Sequence, residues 1–250
     1  DAGNSKEKRT ALVEVLKKLN RGGAEVIDSS PMYGTSEAVV GDLSQELDLR
    51  PKLFLATKVW TSGKEDGIRQ MNQSFRKMKT DKMDLMQVHN LVDVHTHLET
   101  LRNWKGEGKV KYIGITHYMP SVYPEMIQLV KKEKLDFIQF CYNIRTREAE
   151  KELLPLAKDK GVAVLINRPF EEGNLFYQVK GHALPAWAGE YEINSWAQFF
   201  LKFILSHPAV TCAIPGTSQA LHMQENIEAA TGKLPDEKGR ERMAQYFGSL

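Results

Sequence analysis

Short runs of apolar, β-branched residues return along the chain at a steady interval: Ala24-Glu25-Val26-Ile27-Asp28, Leu53 to Lys58, Met83 to His89, Lys111 to Thr116, Phe137 to Phe140, Val162 to Ile166 and Val210 to Ile214. Runs of this length without polar alternation predict strands buried on both faces, as in a parallel sheet covered by helices. Between them apolar residues stand three and four apart, as in Leu12, Val15, Leu16 and Leu19, or Ile68, Met71, Phe75 and Met78. That spacing predicts amphipathic helices. The first of these runs from about Lys6 to Asn20, ahead of any visible strand. Most strands start about 25 to 31 residues apart, the length of one βα unit. Only the last interval is long. There Glu171 to Ile193, rich in Gly, Pro, Trp and Tyr, reads as a loop before a helix over Asn194 to Ser206. Loops that long in a compact domain are usually functional or mobile.

Such βα alternation suits either a (β/α)8 barrel or an open doubly wound sheet. A dinucleotide-binding open sheet would carry G-x-G-x-x-G after its first strand, and none is present, so the α/β expectation is a TIM barrel. No composition break divides residues 1–250, which are read as one domain. A barrel of this kind closes with eight strands, whereas seven are visible. The strand that should precede the Lys6 helix is missing. The expectation is therefore a trimmed chain, or a barrel with seven of its eight strands.

Composition narrows the partners. With 34 basic and 32 acidic side chains the net charge is +2, which argues against binding nucleic acid or an anionic membrane through bulk charge. No run of 18 apolar residues exists, and the greasiest stretch, Phe199 to Leu205, is interrupted by Lys202, so no membrane span is expected. Cys141 and Cys212 are too few for a disulfide framework and lack metal-ligand spacing; reduced thiols and no metal are expected. The N-terminus, Asp1-Ala2-Gly3-Asn4-Ser5, has no apolar signal core. A soluble monomer or weak oligomer is expected, in the cytoplasm or processed after export.

Barrel enzymes place catalytic groups at the C-terminal ends of strands. Asp28, Lys58 and His89 each end an apolar strand, at separations of 30 and 31 residues, so all three emerge on the same rim from neighbouring strands. A lone lysine or histidine at a strand end is usually solvated or structurally bonded, but three in phase make a constellation. Tyr33 lies five residues past Asp28 in Ser29-Ser30-Pro31-Met32-Tyr33-Gly34, a turn into a helix capped near Thr35 or Ser36, with Glu37 in its first turn. Tyr33 can fold back over the rim. A lysine beside a phenol favours phenolate, and an aspartate holds that lysine charged and oriented. Tyrosine can then protonate a substrate oxygen while histidine hydrogen-bonds it as charge builds there, which is what carbonyl reduction requires.

On these residues the chain resembles the aldo-keto reductase family of NADP-dependent (β/α)8-barrel oxidoreductases. Asp28 to Leu43, in which Asp28-Ser29-Ser30 is followed by PMYGTSEAVVGDL, is similar to the family's D-x-A-x-x-Y-G-x-S-E-x-x-x-G-x-x-L signature; ATKVW carries Lys58 and DLMQVH carries His89. Gly108 to Tyr118 (GKVKYIGITHY), Phe137 to Asn143 (FIQFCYN) and Ala213 to Asn226 (AIPGTSQALHMQEN) resemble its cofactor segments. The resemblance implies Tyr33 as proton donor, Asp28 and Lys58 as its tuning pair, and His89 as the substrate-orienting partner. It also implies nicotinamide contacts from Thr116, His117 and Gln139, with Asn167 and Arg168 following the next strand. Glu225 and Asn226 would hold the adenine, with Gly216, Thr217 and His222 around the adenosine phosphate. The hydride would come from NADP(H).

The chain departs from the family in places. Thr116-His117 stands where Ser-Asn is usual, and Asn167 where an aromatic commonly stacks on the nicotinamide. His222 stands where arginine often grips the 2′-phosphate; imidazole is a weaker anion ligand, which keeps NAD(H) as a second cofactor. Trp60 is placed either in the substrate pocket or in an aromatic core, and His95, His97, His182 and His207 are expected on the surface. The expected activity is NAD(P)H-dependent reduction of an aldehyde or ketone to an alcohol, with a small-molecule carbonyl compound as the partner. The alternatives are a nicotinamide-binding regulatory or interaction protein on the same fold, with little or no turnover, and a chain lacking the first strand that binds no cofactor.

Overall fold

A computed structural model describes residues 2–250. They fall into two compact units. The first holds the chain up to His117 together with Leu135–Phe137 and Thr217–Ala220; the second holds Tyr118–Lys134, Ile138–Gly216 and Leu221–Leu250.

The first unit begins with α1 (Lys6–Arg21), whose N-cap Ser5 accepts from the Lys8 N–H and whose buried face is Val15, Leu16 and Leu19. Strands and helices then alternate: β1 (Val26–Asp28), α2 (Ser36–Glu46), β2 (Phe54–Val59), α3 (Lys64–Lys77), β3 (Met83–His89), α4 (Val94–Gly106) and β4 (Val110–Thr116). The strands pair in parallel in chain order, with Asp28 opposite Ala56, Lys58 opposite Gln87 and His89 opposite Thr116. Because side chains alternate along a strand, this register puts Ala56 and Lys58 on one face with Gln87 and His89. At the N-terminal end of that face Phe54, Tyr112 and Phe137 form an aromatic cluster, with centroids 5.5 to 6.0 Å apart. At the C-terminal end the face turns polar. Leu55, Leu85, Met86 and Val88 are fully buried, which is why these strands read as continuous apolar runs.

The second unit continues β5 (Phe137–Cys141) and adds α5 (Tyr123–Lys132), α6 (Leu153–Lys160), β6 (Ala163–Asn167), α7 (Asn174–Gln178), α8 (Trp196–Leu205), β7 (Cys212–Ala213), most of α9 (Ala220–Glu228) and α10 (Glu237–Gly248). Sheet order is again chain order, and β6 pairs in parallel with β7. All seven expected strands are present, and among the described residues none precedes α1.

One device recurs at the strand entrances. A side chain at the start of one strand accepts a backbone N–H of the strand before it: Asp84 Oδ2 from Leu55 (3.0 Å), Asp136 Oδ2 from Ile113 (2.9 Å) and Thr211 Oγ1 from Val164 (3.0 Å). Each satisfies a donor that the ladder leaves over at a parallel strand end.

Two expectations are corrected. Glu171–Ile193 is partly helical: 3-10 turns at Glu171–Gly173 and Ala186–Tyr191 flank α7. Its apolar residues explain this, since Leu175, Ala188 and Tyr191 are buried, which an extended surface loop would not achieve. His97 and His207 are not surface residues. His97 is fully buried, and His207 is half-buried, with burial the main cause pushing its imidazole down to about 4. Neither cysteine is in a disulfide; burial pushes the Cys141 thiol up to about 11, which disfavours the reactive thiolate.

Candidate active site

The four residues predicted to act together, Asp28, Tyr33, Lys58 and His89, all lie in the first unit. Lys58 near the end of β2 has no solvent exposure. Its Nζ donates to Asp28 Oδ2 at 2.5 Å and to the Ser29 carbonyl at 2.7 Å. A buried ammonium persists only with such compensation. Gln87, two residues before His89 and therefore on the same strand face, donates from Nε2 to Asp28 Oδ1 (3.2 Å).

The turn after β1 brings the tyrosine round. Tyr33 N–H donates to the Ser30 carbonyl, Ser36 N–H donates to the Tyr33 carbonyl, and Gly34 takes a left-handed φ of 57°. α2 follows with Thr35 as N-cap but without a side-chain cap bond. Glu37 in its first turn is buried, accepting from Thr57 Oγ1 at 2.7 Å. Lys58 Nζ lies 5.2 Å from the centroid of the Tyr33 ring, and that ring meets the His89 ring edge-on at 6.1 Å. Trp60, just past β2, has its ring 6.5 Å from that of His89 and stays 37% exposed. Tyr33, at 47% exposed, is open to a ligand.

His89 is held neutral. Burial, then the charges of Lys58 and His117, push its imidazole down to about 4. Ser30 Oγ accepts the Met32 N–H at 3.2 Å and lies 3.1 Å from His89 Nδ1, within hydrogen-bond distance. A Ser30 hydroxyl that donates to Nδ1 puts the His89 proton on Nε2. Sequence reading missed Ser30 and Gln87. For Gln87 the signal was its period-two spacing from His89; for Ser30 it was membership of the same motif as Tyr33.

The residues expected around a cofactor fall in both units. In the first, Thr116 is buried at the end of β4, its carbonyl accepting the Asn90 N–H (2.8 Å), and His117 follows it; Thr217 Oγ1 accepts the Gln219 N–H (3.0 Å). In the second, Gln139 is buried on β5, and Asn167 ends β6 with its buried Oδ1 lacking a hydrogen-bond partner. Arg168 takes a left-handed φ of 48°, stacks on Tyr118 at 4.1 Å and pairs with Glu172 at 2.8 Å. Gly216 follows β7, and a Cβ there would meet nothing within 4 Å. His222, Glu225 and Asn226 stand on α9 at the i, i+3 and i+4 spacing that shares one helix face.

The first unit thus brings a buried lysine–aspartate pair, a tyrosine and a neutral histidine together at the ends of parallel strands. The sequence profile of the Aldo/keto reductase family matches residues 2–241, and the chain belongs to that family. It is 26% identical to methylglyoxal reductase YeaE of Escherichia coli (strain K12) over 232 residues, which cover 90% of this chain and 80% of that protein. It is also 26% identical to the NADH-specific methylglyoxal reductase of the same strain over 280 residues, covering 97% and 85%. Among solved structures, an aldo/keto reductase from Klebsiella pneumoniae in complex with NADP and acetate superposes with a TM-score of 0.81 at 24% identity, covering 98% of this chain and 88% of that one. That likeness is one of fold. The fold class is the (β/α)8 barrel of the family, with seven strands among the described residues.

Proposed function

We propose that residues 1–250 act as one domain that reduces a small aldehyde or ketone to an alcohol, using NADPH in preference to NADH. The observation that carries this reading is the buried Lys58–Asp28 pair, with Lys58 Nζ 5.2 Å from the Tyr33 ring centroid, beside a neutral His89 whose Nδ1 lies 3.1 Å from the Ser30 hydroxyl. Tyr33 gives the proton to the carbonyl oxygen. Lys58 stabilises the phenolate left behind, and Asp28, Ser29 and Gln87 keep Lys58 and its partner in place. His89 donates to the same oxygen as negative charge builds on it. Its neutrality serves this role, because a second cation beside Lys58 would be costly to bury.

When bound, a reduced nicotinamide cofactor would supply the hydride for this reduction. The residues present fit such a group. The unpartnered Asn167 Oδ1 is an acceptor suited to a carboxamide N–H, and Gly216 leaves the backbone open to a phosphate. Thr116, His117 and Gln139 would add contacts to the nicotinamide, and Arg168 a cation beside it. Thr217 and His222 would lie around the adenosine phosphate, with Glu225 and Asn226 at the adenine. The methylglyoxal reductases among the relatives support small carbonyl compounds as substrates, and the NADH-specific one supports NADH as a second cofactor.

The test is NADPH oxidation at 340 nm against a panel of aldehydes and ketones, with Tyr33→Phe as control. Tyr33→Phe should lose at least a hundredfold in kcat and keep NADPH binding, read by quenching of intrinsic fluorescence. Unchanged turnover in that variant would sink the assignment. Tight NADPH binding with no turnover of any carbonyl would make the protein a nicotinamide-binding interaction protein instead.

A further inference from the structure

Beyond the four catalytic residues, the segment joining β2 to α3 is held in an unusual way. Trp60 opens it, and Gln70, two turns into α3, reaches back to bond both backbone groups of Trp60: Oε1 accepts its N–H at 2.6 Å and Nε2 donates to its carbonyl at 3.1 Å. Fully buried His97 on α4 contacts the next residue, Nε2 donating to the Thr61 carbonyl at 2.6 Å. Asp93, at the start of α4, takes the Gly63 N–H on Oδ2 at 2.7 Å and the Thr96 hydroxyl on Oδ1 at 2.7 Å. These bonds hold the Asp93 carboxyl below the usual carboxylate range. Gly67 makes room for the imidazole, since any Cβ there would collide with the His97 ring.

Three of the four residues from Trp60 to Gly63 are thus tied by side chains of two helices. Burial does not require the Gln70 bonds, because Trp60 and its bonds to Gln70 are open to solvent and water would serve. What the double bond does is fix the Trp60 backbone in two directions and so set its ring 6.5 Å from His89. His89 then has two aromatic walls, Tyr33 and Trp60. The Trp60 indole, 37% exposed and 6.5 Å from His89, is within reach of a compound whose carbonyl oxygen meets Tyr33 and His89.

We propose that Gln70 is a positioning residue for substrate selection: by clamping the Trp60 backbone it holds the indole as a wall that favours carbonyl compounds carrying a flat apolar substituent. This rests on the carbonyl-reductase reading above. The chosen pair is phenylglyoxal and methylglyoxal, which share the reacting group and differ in the substituent. Wild type should prefer phenylglyoxal in kcat/KM by about tenfold, the order of one aromatic contact. Trp60→Leu should abolish the preference. Gln70→Ala should do the same by raising the KM for phenylglyoxal, with its kcat and both methylglyoxal constants within twofold of wild type. Gln70→Glu, which keeps the acceptor for the Trp60 N–H and loses the donor, should fall between.

The proposal is overturned if wild type shows no preference, if Gln70→Ala retains the preference that Trp60→Leu loses, or if Gln70→Ala lowers both substrates equally. Should wild type reduce no carbonyl at all, the functional reading fails and the clamp is judged by 19F NMR of 5-fluorotryptophan-labelled protein. The Trp60 resonance, assigned by its loss in Trp60→Phe, should shift and broaden in Gln70→Ala; an unchanged line refutes the clamp.

Discussion

Replacing Lys58 by methionine tests whether the Lys58–Asp28 pair is both a structural and a chemical unit. At 2.5 Å, with an effective dielectric constant of about 20, the attraction between the two charges is about 7 kcal/mol. Desolvating the two ions costs several kcal/mol each, so the pair as a whole adds little net stability. Removing only the cation is different. Asp28, at 7% side-chain exposure, would lose the ammonium and keep Gln87 as a donor, and the Ser29 carbonyl would lose a donor. The expected loss is about 3–5 kcal/mol, a large share of the 5–15 kcal/mol available to a domain. The double variant Lys58→Met/Asp28→Leu removes the buried carboxyl as well and should recover about half of that loss. Urea unfolding at pH 7 measures all three, with equal m-values as the condition for comparing them. Both variants should lose turnover by a factor of about 10² to 10⁴, because Tyr33 then lacks its cation. A single variant within 1 kcal/mol of wild type, or a double variant no more stable than the single, would refute the reasoning.

Ser30→Ala should cut kcat/KM about tenfold without altering NADPH affinity, the effect expected of one lost hydrogen bond at the reacting group. 15N NMR of the imidazole should show the Nε2–H tautomer of His89 in wild type and a mixture in the variant; an unmixed spectrum with unchanged kinetics counts against the assignment. His89 also links stability to pH. Its folded-state value of about 4 lies below the ordinary 6.5, so above pH 6.5 it contributes no pH dependence. Between 6.5 and 4 the unfolded chain takes up the proton and the folded chain does not, and stability falls as pH falls. Half-buried His207 is lowered to the same value and acts in the same window. His89→Gln should therefore flatten only part of the slope, and an NMR titration placing the His89 midpoint above 6 would overturn the account.

Much of the fold was legible in the chain because its strands are buried on both faces and so appear as unbroken apolar runs. Met83–His89 runs from its first residue to its last as the pattern predicts. Asp28, Lys58 and His89 were legible as a group for a related reason: one βα unit separates each from the next, and parallel strands in register return the chain to the same rim. Tyr33 followed from the turn chemistry beside Asp28. The burial of Glu37 was not legible. A glutamate in a first helical turn reads as a solvated charge, and only packing against Thr57, 20 residues away, shows it buried.

Local sequence thus determined the strands and their order, through periodicities that need no knowledge of neighbours, while α7 within Glu171–Ile193 escaped it. Tertiary structure decided which side chains meet: Ser30 with His89 across 59 residues, Gln87 with Asp28 across 59, and His97 with the Thr61 carbonyl across 36. Those contacts depend on strand register and helix placement, and in a sequence each is only a polar residue with many solvated alternatives. His97, read as a surface histidine, is instead buried against the segment beside the candidate site, because the backbone of that segment supplies the acceptor it needs.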